Sequence, residues 1–240
     1  MTYSVDLIIP VLNEVRVLED SVARLRRHLA SDVPYRWSIV IADNGSVDGT
    51  GEVAKKLAAR YADVRYFQIG ERGRGRALRR AWEASGAEVC CYTDVDLSTD
   101  IGYPRPLIDA VLVEGYDVAT GSRLLPGART KRSLRRGLIS RLYNLFVRAV
   151  LGTTFSDAQC GFKAVNRRVV EKLLPRIQDQ GWFFDTELLA LAEKSGYRIK
   201  EFPVKWDEDD DSRVKIIPTA WQNVKGILRL RESLNAIKTS

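Results

Sequence analysis

The sequence predicts an α/β protein with a mostly parallel central sheet and helices on both of its faces. Over the first two-thirds of the chain, short runs of β-branched and aromatic residues alternate with amphipathic segments, the pattern of repeated βαβ units. Polar clusters follow several predicted strands, and parallel sheets bind ligands at the carboxyl ends of their strands. No repeat, low-complexity tract or Pro/Gly-rich linker divides the 240 residues, so we expect one domain over 1–240.

The individual elements follow from local patterns, taken in chain order. Short apolar runs predict strands at Tyr3–Ile9, Trp37–Ala42, Val64–Ile69, Val89–Tyr92 and Asp117–Thr120. Apolar residues at helical spacing predict intervening helices at Val15–Leu29, Thr50–Tyr61, Arg76–Ala84 and Tyr103–Glu114. The last third predicts a basic helix at about 134–151, a turn through 155–165, helices at Arg167–Leu174 and Phe184–Ser195, a strand over 197–206 and a closing helix at Ala220–Leu234.

Two aspartates follow the predicted strand at Val89–Tyr92. In CYTDVDLSTD, Asp94 and Asp96 are one residue apart. Side chains alternate along a strand, so both carboxylates would point the same way if the extended geometry persists. Like charges so placed repel unless a cation separates them, and Mg²⁺ or Mn²⁺ carrying a phosphorylated ligand is the obvious candidate. The alternative is that both aspartates only end the strand and cap the following turn.

A second polar cluster, ADNGSVDGT, follows a predicted strand and precedes a helix. Its Asn-Gly pair is typical of a turn, and Asp48 or Thr50 can cap the helix. Asp43 stands at the strand tip, where its carboxylate can accept hydrogen bonds from a base or a ribose.

Other motifs argue against several classes of protein. GERGRGRALRR lacks the full G-x-G-x-x-G fingerprint because Leu78 occupies its last glycine position, which disfavours a dinucleotide fold. Its arginines either meet phosphate or form a solvated face. The single histidine, His28, and the lack of a G-x-S-x-G elbow give no support to a hydrolytic triad or a histidine zinc site. Cys90, Cys91 and Cys160 have no metal-ligand spacing, so we expect reduced thiols in a cytosolic setting.

The net charge of +7 is concentrated in one segment. No acidic residue lies between Asp117 and Asp157, and this interval holds eight arginines and lysines, which leaves −1 (7 minus 8) for the rest of the chain. The helix at about 134–151 lies inside it, with an apolar stripe and a basic polar face. Such a helix can bind nucleic acid, rest on an anionic membrane or bury its stripe in the domain. Without an aromatic platform or helix-turn-helix pattern, we expect no nucleic acid and favour an anionic lipid headgroup.

The segments that carry chemistry resemble those of family-2 glycosyltransferases of the GT-A fold. They are IIPVLNE, ADNGSVDGT, TDVDLS, GSR, DAQCGFKAV and WFFDTELLALAEKSGYRIKEFPVKW, in this order between residues 5 and 232. More narrowly, the chain resembles dolichyl- or polyprenyl-phosphate sugar transferases. KRSLRR, DAQCGFK, FFDTELL and SRVK are most similar to the β-glucosyltransferases, whereas DVDLS and GSR are equally similar to the mannosyl relatives. The resemblance implies a donor-binding half at 1–122 and an acceptor-binding half at 123–240.

The resemblance also implies the site residues. Those implied for the nucleotide-sugar donor are Pro10, Leu12, Glu14, Asp43, Asp94, Val95, Asp96, Arg123 and Arg213. A metal, Mg²⁺ or Mn²⁺, would be bound by Asp94 and Asp96, and the acceptor phosphate by Arg132, Arg136 and Ser140. Catalysis would rest on Asp94, Asp96, Asp157 and Arg123, with Gln159 also beside the sugar.

Some positions depart from the family pattern. Asn44 replaces the usual second aspartate after Asp43, and Ser98 stands where mannosyl relatives often carry a metal-binding glutamine. These departures affect the identity of the sugar more than the reaction. Close relatives commonly carry membrane-spanning segments, and neither a signal peptide nor a run of about 18 apolar residues is evident here. We therefore expect a protein peripheral to the cytoplasmic membrane face, or a partner of a separate membrane subunit.

The expected reaction is inverting, metal-dependent transfer of a hexose, preferably glucose from UDP-glucose, to polyprenyl or dolichyl phosphate. The product would be a β-linked lipid-phosphate sugar, and the anionic acceptor would need no strong base. One alternative is mannosyl transfer from GDP-mannose to the same lipid. Another is a glycan or protein hydroxyl acceptor, with Asp157 or Asp185 as base. A third is a non-catalytic module that binds membrane surfaces through its basic patch.

Overall fold

A seven-stranded sheet forms the centre of the protein. The computed structural model describes residues 3–100, 102, 104–131, 133–207 and 216–238, and of 134, 216–218 and 235–238 it describes the backbone only. The strands are β1 (Ser4–Val11), β2 (Arg36–Asp43), β3 (Val64–Gln68), β4 (Val89–Thr93), β5 (Val118–Ser122), β6 (Arg129–Lys131), β7 (Phe162–Asn166), β8 (Ile199–Pro203) and β9 (Lys205–Asp207). The large sheet has the order β3-β2-β1-β4-β7-β5-β8, and β6 pairs with β9 separately.

The direction of the strands confirms the predicted, mostly parallel sheet. Each strand of the large sheet runs parallel to its neighbours except β7, which is antiparallel to both β4 and β5. The helices are α1 (Leu18–Asp32), α2 (Thr50–Arg60), α3 (Arg74–Ala84), α4 (Pro104–Leu112), α5 (Leu134–Leu151), α6 (Arg167–Lys172), α7 (Phe184–Lys194) and α8 (Ile216–Lys238). One face of the sheet packs against α1, α2 and α4, and the other against α3, α6, α7 and parts of α5 and α8.

Alternation along the strands divides the buried side chains between two cores. In β1, Ile8 packs on the α3 side, whereas Leu7 and Ile9 pack on the α1 side. Cys90 and Cys91 are divided in the same way, as expected for neighbours in a strand. Both are buried and unpaired, and burial raises the pKa of Cys90 to about 12, which keeps this thiol protonated.

One prediction for this region is wrong: residues 155–165 are not a turn throughout, because 162–166 form β7. The charged Lys163 interrupts an apolar run and hides the strand pattern. In the fold Lys163 is fully buried, and its ammonium group donates to the carbonyl of Cys160 (2.6 Å) and pairs with Asp185 (3.1 Å). A buried charge is tolerated when it is paired and hydrogen-bonded, so the lysine occupies a central strand.

The strand predicted over 197–206 is divided into β8 and β9. Pro203 has no backbone N–H and ends β8, and β9 then pairs in parallel with β6. β9 also holds the loop that follows β4, because the Asp100 N–H donates to the Lys205 carbonyl and the Asp207 N–H to the Ser98 carbonyl, both at 3.0 Å.

This topology gathers several loops at one edge of the sheet. The carboxyl ends of β1, β2, β4 and β5 open on the same edge because these strands are parallel. β7 runs the other way, so its beginning lies at that edge too. We call this edge the rim, which comprises residues 12–14, 43–50, 94–100, 123 and 152–161.

Candidate active site

The loops after β1 and β2 are fastened to each other at the rim. The Asn13 N–H donates to the Ser46 hydroxyl (2.9 Å), and the Val47 N–H donates back to the Asn13 side chain (2.9 Å). The Glu14 N–H donates to the Thr50 hydroxyl (2.8 Å). Pro10, Leu12 and Glu14 are half-buried, so this predicted set lies at the end of β1 and in the fixed loop that follows it.

Asp43 ends β2 in a buried position. Its carboxylate accepts from the Ser46 N–H (2.9 Å) and from the Tyr66 hydroxyl (3.1 Å). Burial raises the pKa of Tyr66 to about 12, and the hydrogen bond to Asp43 adds to the shift. The phenol therefore stays a donor that fixes one oxygen of Asp43, at the place where the sequence predicts base or ribose recognition.

The chain turns immediately after β4, so Asp94 and Asp96 do not continue an extended strand. The Leu97 N–H donates to the Asp94 carbonyl (3.2 Å), and Leu97 has a positive φ of 51°, a strained value for a branched side chain. Val95 points into the core, while Asp96 is exposed and accepts from the Ser98 N–H (3.0 Å). The extended geometry on which the alternation argument depended therefore does not persist, and the turn decides the directions of the two carboxylates.

Asp94 contacts Arg74, one of the arginines for which the sequence left open a role in binding phosphate or in a solvated face. The Arg74 guanidinium donates from Nη2 to Asp94 (2.6 Å) and from Nη1 to Asp185 (2.7 Å). The side chain of Asp94 is 39% exposed, whereas that of Arg74 is 9% exposed. Burial by itself would lower the pKa of Arg74, but attraction to Asp94 and Asp185 outweighs it and raises that pKa. Arg74 therefore remains charged between the two carboxylates.

Asp185 is buried among cationic and hydroxyl groups. Besides Arg74 it contacts the Lys163 ammonium (3.1 Å) and accepts a hydrogen bond from the Tyr92 hydroxyl. Burial would raise the pKa of Asp185, but the two cations and the Tyr92 bond lower it below its ordinary value. This carboxylate is a fixed anion inside the fold, not a group at the protein surface.

A second buried ion pair joins Arg123 to Asp157. The Nε and Nη2 atoms of Arg123 contact the two oxygens of Asp157 at 2.7 and 3.0 Å, and the Arg123 backbone N–H donates to the same carboxylate (3.0 Å). The Trp206 ring lies 5.4 Å from the guanidinium carbon. Burial would raise the pKa of Asp157, but the Arg123 pair outweighs it and the pKa is lowered.

Two glutamates hold the loop that carries Asp157. Glu193 accepts from the N–H groups of Thr154 and Phe155, and Glu201 accepts from those of Ser156 and, at 3.4 Å, Asp157. Successive N–H groups of the loop are thus satisfied by carboxylates from α7 and β8. The Gln159 N–H then donates to Asp157 (3.2 Å), so Gln159 also lies at this pair.

Helix α5 is connected to both buried ion pairs. The Tyr143 hydroxyl bonds the Thr186 hydroxyl (2.7 Å), next to Asp185 in sequence. The Asn144 side chain accepts from the Ala158 N–H (2.8 Å), next to Asp157, and donates to the Ser140 carbonyl (2.9 Å).

The predicted acceptor residues lie at the beginning of α5. Arg136 and Ser140 are half-buried and one turn apart on α5, and Ser133 caps the helix by accepting from the Arg136 N–H (3.4 Å). The predicted residues Arg132 and Arg213 lie outside the described residues.

The outward face of α5 is apolar. We call the following exposed side chains the α5 apolar face: Leu138, Ile139, Leu142, Leu145 and Phe146. Leu142 and Leu145 are each 56% exposed, and Arg135, Arg141 and Arg148 are exposed on the same helix. Among the described residues, it is instead Asn144, Val147 and Leu151 that α5 buries in the protein. The possibility that the apolar stripe is buried in the domain is therefore wrong for these positions.

The metal ligands predicted from the sequence fit a cation that binds together with a phosphorylated ligand. Across the described residues, no three His, Cys, Asp or Glu side chains come close enough to hold a metal by themselves. Asp94 and Asp96 supply two carboxylates, and Mg²⁺ or Mn²⁺ is often bound by one or two carboxylates plus substrate phosphates.

The sequence interpretation missed Arg74 and Lys163 as members of the site. Two signals could have found them. Arg74 stands between two glycines in GRGR, and Lys163 interrupts an apolar run in GFKAV. Asp185 was considered only as a base for a hydroxyl acceptor.

A mostly parallel sheet with polar side chains at the carboxyl ends of its strands places the protein in the class of α/β proteins that bind ligands at that edge. Comparison with known families narrows this class. Residues 6–174 match the family described as Glycosyl transferase family 2, and the chain belongs to that family. It is a glycosyltransferase.

Individual proteins show the same relationship. Glycosyltransferase AglD of Haloferax volcanii is 39% identical over 89% of this chain, which spans 34% of the length of that protein. A dolichyl-phosphate beta-glucosyltransferase of Dictyostelium discoideum is 27% identical over 94% of this chain and 73% of its own length.

A solved structure has the same fold. Glucosyl-3-phosphoglycerate synthase from Mycobacterium tuberculosis, crystallised with Mn²⁺ and UDP-glucose, superposes with a TM-score of 0.68. It is 17% identical and covers 95% of this chain and 79% of its own. The predicted GT-A fold is confirmed. In the described part of the chain, no helix combines the length and hydropathy needed to span a bilayer.

Proposed function

We propose that this glycosyltransferase moves a hexose, preferably glucose from UDP-glucose, to the phosphate of a polyprenol or dolichol. The observation that carries the proposal is that α5, whose outward face is apolar and arginine-rich, bonds the segments next to Asp185 and Asp157 through Tyr143 and Asn144. The carboxylates at the rim suit a metal-bound sugar nucleotide, and the outward face of α5 suits a lipid phosphate. Its relatives named as dolichyl-phosphate glucosyltransferases support this assignment.

The donor would lie along the rim in the half formed by 1–122. Pro10, Leu12 and Glu14 would contact the nucleoside, and Asp43 would accept from the base or ribose. Val95 packs beneath the loop that would hold the ribose and diphosphate. Arg123 uses Nε and Nη2 on Asp157, which fixes the direction of the guanidinium and leaves Nη1 outside this pair, for the donor phosphates. Arg213 would contribute a second cation there.

Asp94 and Asp96 would hold Mg²⁺ or Mn²⁺. When bound, such an ion neutralises the charge that develops on the nucleoside-diphosphate leaving group. Arg123 adds a fixed positive charge of the same kind, and preorganised charges of this sort lower the barrier because they need no rearrangement during the reaction. In this scheme Asp157 contributes to catalysis by positioning Arg123.

The acceptor would lie against the half formed by 123–240, with its phosphate held by Arg136, Ser140 and Arg132. A phosphate monoester is anionic near pH 7, so its oxygen attacks the anomeric carbon without a strong base. An alternative hydroxyl acceptor requires a base, and Asp157 and Asp185 are both buried in ion pairs that lower their pKa. Lipid phosphate is therefore the better-supported acceptor. Attack opposite the leaving group inverts an α-linked donor to a β-linked product.

The α5 apolar face would rest on the membrane that contains the acceptor. Leucines and a phenylalanine flanked by arginines suit the boundary between acyl chains and anionic headgroups. One such helix gives reversible attachment, so we place the protein peripherally at the cytoplasmic face, alone or with a separate membrane subunit.

The test is transfer of labelled sugar into an organic-extractable product. Wild-type protein is incubated with polyprenyl phosphate, Mg²⁺ or Mn²⁺ and a panel of UDP- and GDP-sugars, with EDTA as control. We expect label in lipid only with metal and with UDP-glucose, and Asp96→Asn should reduce it on the order of 100-fold.

Other results in the same assay would redirect the assignment. Transfer of label from GDP-mannose would change the assigned sugar from glucose to mannose. Label found only on a glycan or protein hydroxyl would change the assigned acceptor from lipid phosphate to a hydroxyl group. Vesicle binding without transfer or nucleotide-sugar binding would support a membrane-surface module instead.

A further inference from the structure

The turn before α3 is built to bring one arginine into the protein. Arg74 is the first residue of α3 and is flanked by Gly73 and Gly75. A Cβ on Gly73 would meet the Gln180 carbonyl oxygen, and one on Gly75 would lie 2.6 Å from Phe184 Cβ. The glycines thus let the beginning of α3 pack against 180–184, where the Arg76 N–H donates to the Gln180 carbonyl (3.1 Å).

The guanidinium of Arg74 is fixed on all sides. Its two terminal nitrogens bond Asp94 and Asp185, and its central carbon lies 5.1 Å from the ring centres of both Tyr92 and Trp182. A planar fork held between two aromatic rings and two carboxylates has little freedom to rotate.

The buried part of this cluster carries an excess positive charge. Arg74 and Lys163 contribute two positive charges and Asp185 one negative charge, which leaves +1 facing Asp94. The negative charge of Asp94 neutralises this excess, although the Asp94 side chain is partly exposed. The backbone at Gly161 lies close against the Asp94 carboxylate, because a Cβ added there would overlap Asp94 Oδ2. The carboxylate is therefore confined between a guanidinium and a glycine.

We propose that Arg74 is a positioning residue that aims Asp94 at the metal and diphosphate of the donor, with Asp185 and Lys163 as its buried support. The inference rests on the proposed function, because it takes Asp94 as a metal ligand. In this proposal Arg74 acts through Asp94, which it contacts directly, and is not itself a ligand of the donor or the acceptor. Its effect is to replace the freedom of an exposed aspartate by one fixed direction, as groups behind metal ligands commonly do.

Removal of Arg74 should affect metal binding in opposite directions, depending on whether the residue acts through its charge or by orienting Asp94. A cation beside Asp94 repels an arriving Mn²⁺, so if charge were its only effect, its removal would tighten metal binding. If Arg74 aims the carboxylate, its removal weakens binding.

The experiment measures Mn²⁺ affinity directly, by electron paramagnetic resonance of free Mn²⁺ with the full chain in the presence of UDP or GDP. The variants are Arg74→Met, Arg74→Lys and Gly161→Ala. Lysine retains the charge but cannot hold two carboxylates in a fixed plane, and the alanine Cβ displaces Asp94 while Arg74 stays intact. We expect the Kd for Mn²⁺ to rise by about tenfold or more in all three.

Two matched controls accompany them. Arg76 lies on the same helix turn and pairs with Glu71 outside the cluster, so Arg76→Met should leave the Kd unchanged. Gly86 has no atom within 4 Å of an added Cβ, so Gly86→Ala should behave likewise. If Arg74→Met does not fold, as judged by circular dichroism, the other two variants decide.

Several outcomes would overturn the inference: tighter or unchanged Mn²⁺ binding in Arg74→Met, wild-type affinity in Arg74→Lys, or unchanged affinity in Gly161→Ala. Failure of the proposed function looks different. Wild-type protein would then bind Mn²⁺ with a nucleotide and lose it in the variants, yet transfer no sugar to lipid from any donor.

Discussion

At and beside the rim of the sheet, Arg123 and Arg74 are each fixed against carboxylates, whereas on α5 Arg135, Arg141 and Arg148 lie exposed on a helix with outward leucines. The same residue type is thus used in two ways. Inside the fold a guanidinium and its carboxylate partners hold one another in a fixed direction. On α5 the arginines are part of an exposed surface, which also includes the α5 apolar face that no described element covers.

The difference reflects the two kinds of ligand proposed for this protein. A sugar diphosphate is rigid and highly charged, and it is bound best by groups that do not move when charge develops. A lipid phosphate is an amphiphile, and a membrane surface accepts a range of positions of a helix that rests on it. If the two regions differ in this way, matched substitutions and a change of pH should affect them unequally.

The largest difference is expected between two arginines. Arg123→Met removes the partner of the buried Asp157, and leaving a charge buried without its partner costs about 3–5 kcal/mol of the free energy of unfolding. Arg141→Met on α5 should change it by at most about 0.5 kcal/mol because that side chain is exposed. Urea denaturation without ligand measures both, and equal effects would contradict the contrast.

Two leucines of α5 provide the next comparison. Leu151→Ala empties a buried position and should lower the free energy of unfolding by about 2–5 kcal/mol, whereas Leu145→Ala should lower it by under about 1 kcal/mol. Co-sedimentation with phosphatidylglycerol vesicles should show the reverse order, with Leu145→Ala weakening attachment. Attachment that is indifferent to Leu145 would remove the membrane role of the α5 apolar face.

A change of pH should affect the rim and leave α5 unchanged. The pKa values of Asp157 and Asp185 are lowered in the fold, so their stabilising contribution is present above the unfolded value of about 3.9 and is lost as pH falls through the folded values. We expect the free energy of unfolding to decline below about pH 4. The total loss should be about 1.4 kcal/mol for each unit by which folding lowers the pKa of a carboxylate.

Vesicle attachment supplies the contrast, because residues 118–156 contain no Asp, Glu or His. We expect it to be the same at pH 7 and pH 5. Unfolding free energy that is flat from pH 6 to pH 3 would contradict the assignment of both aspartates as native anions.

The smallest effect concerns the donor side of the rim. Tyr66→Phe removes one hydrogen bond to Asp43 and should cost about 1 kcal/mol of the free energy of unfolding. Tyr116→Phe is a suitable control, because Tyr116 contacts Arg198 and Lys200 through its ring. Equal values for the two variants would show that the Tyr66 hydroxyl contributes nothing to holding Asp43.

The positions of Asp43 and Asp94 could be predicted from the sequence because both follow strands with strong local patterns. Parallel strands bring their carboxyl ends to one edge, so recognising the strands was enough to place both residues at the same edge of the sheet. The relative direction of Asp94 and Asp96 could not be obtained in this way, since the turn at Leu97 replaces the strand geometry on which that argument depended.

Arg74 and Lys163 could not be predicted for a different reason. Whether a charged side chain is buried depends on its partners, and Asp185 is 111 residues away from Arg74 in the sequence. Their sequence neighbourhoods, an arginine-rich turn and an interrupted apolar run, are compatible with solvated charges. Likewise, α5 has enough apolar residues for two faces, and the bond from the Ala158 N–H to Asn144 helps to set which face turns inward.

The sequence by itself determined the parallel sheet, the order of its helices, the family and the edge at which a ligand site would form. These depend on periodicity and on short motifs, which are properties of neighbouring residues. Only the tertiary structure decided which charges are paired inside the fold and that the leucines of α5 face outward. Desolvation and ion pairing depend on groups that meet only after the chain has folded, so residues that look alike in sequence have opposite environments.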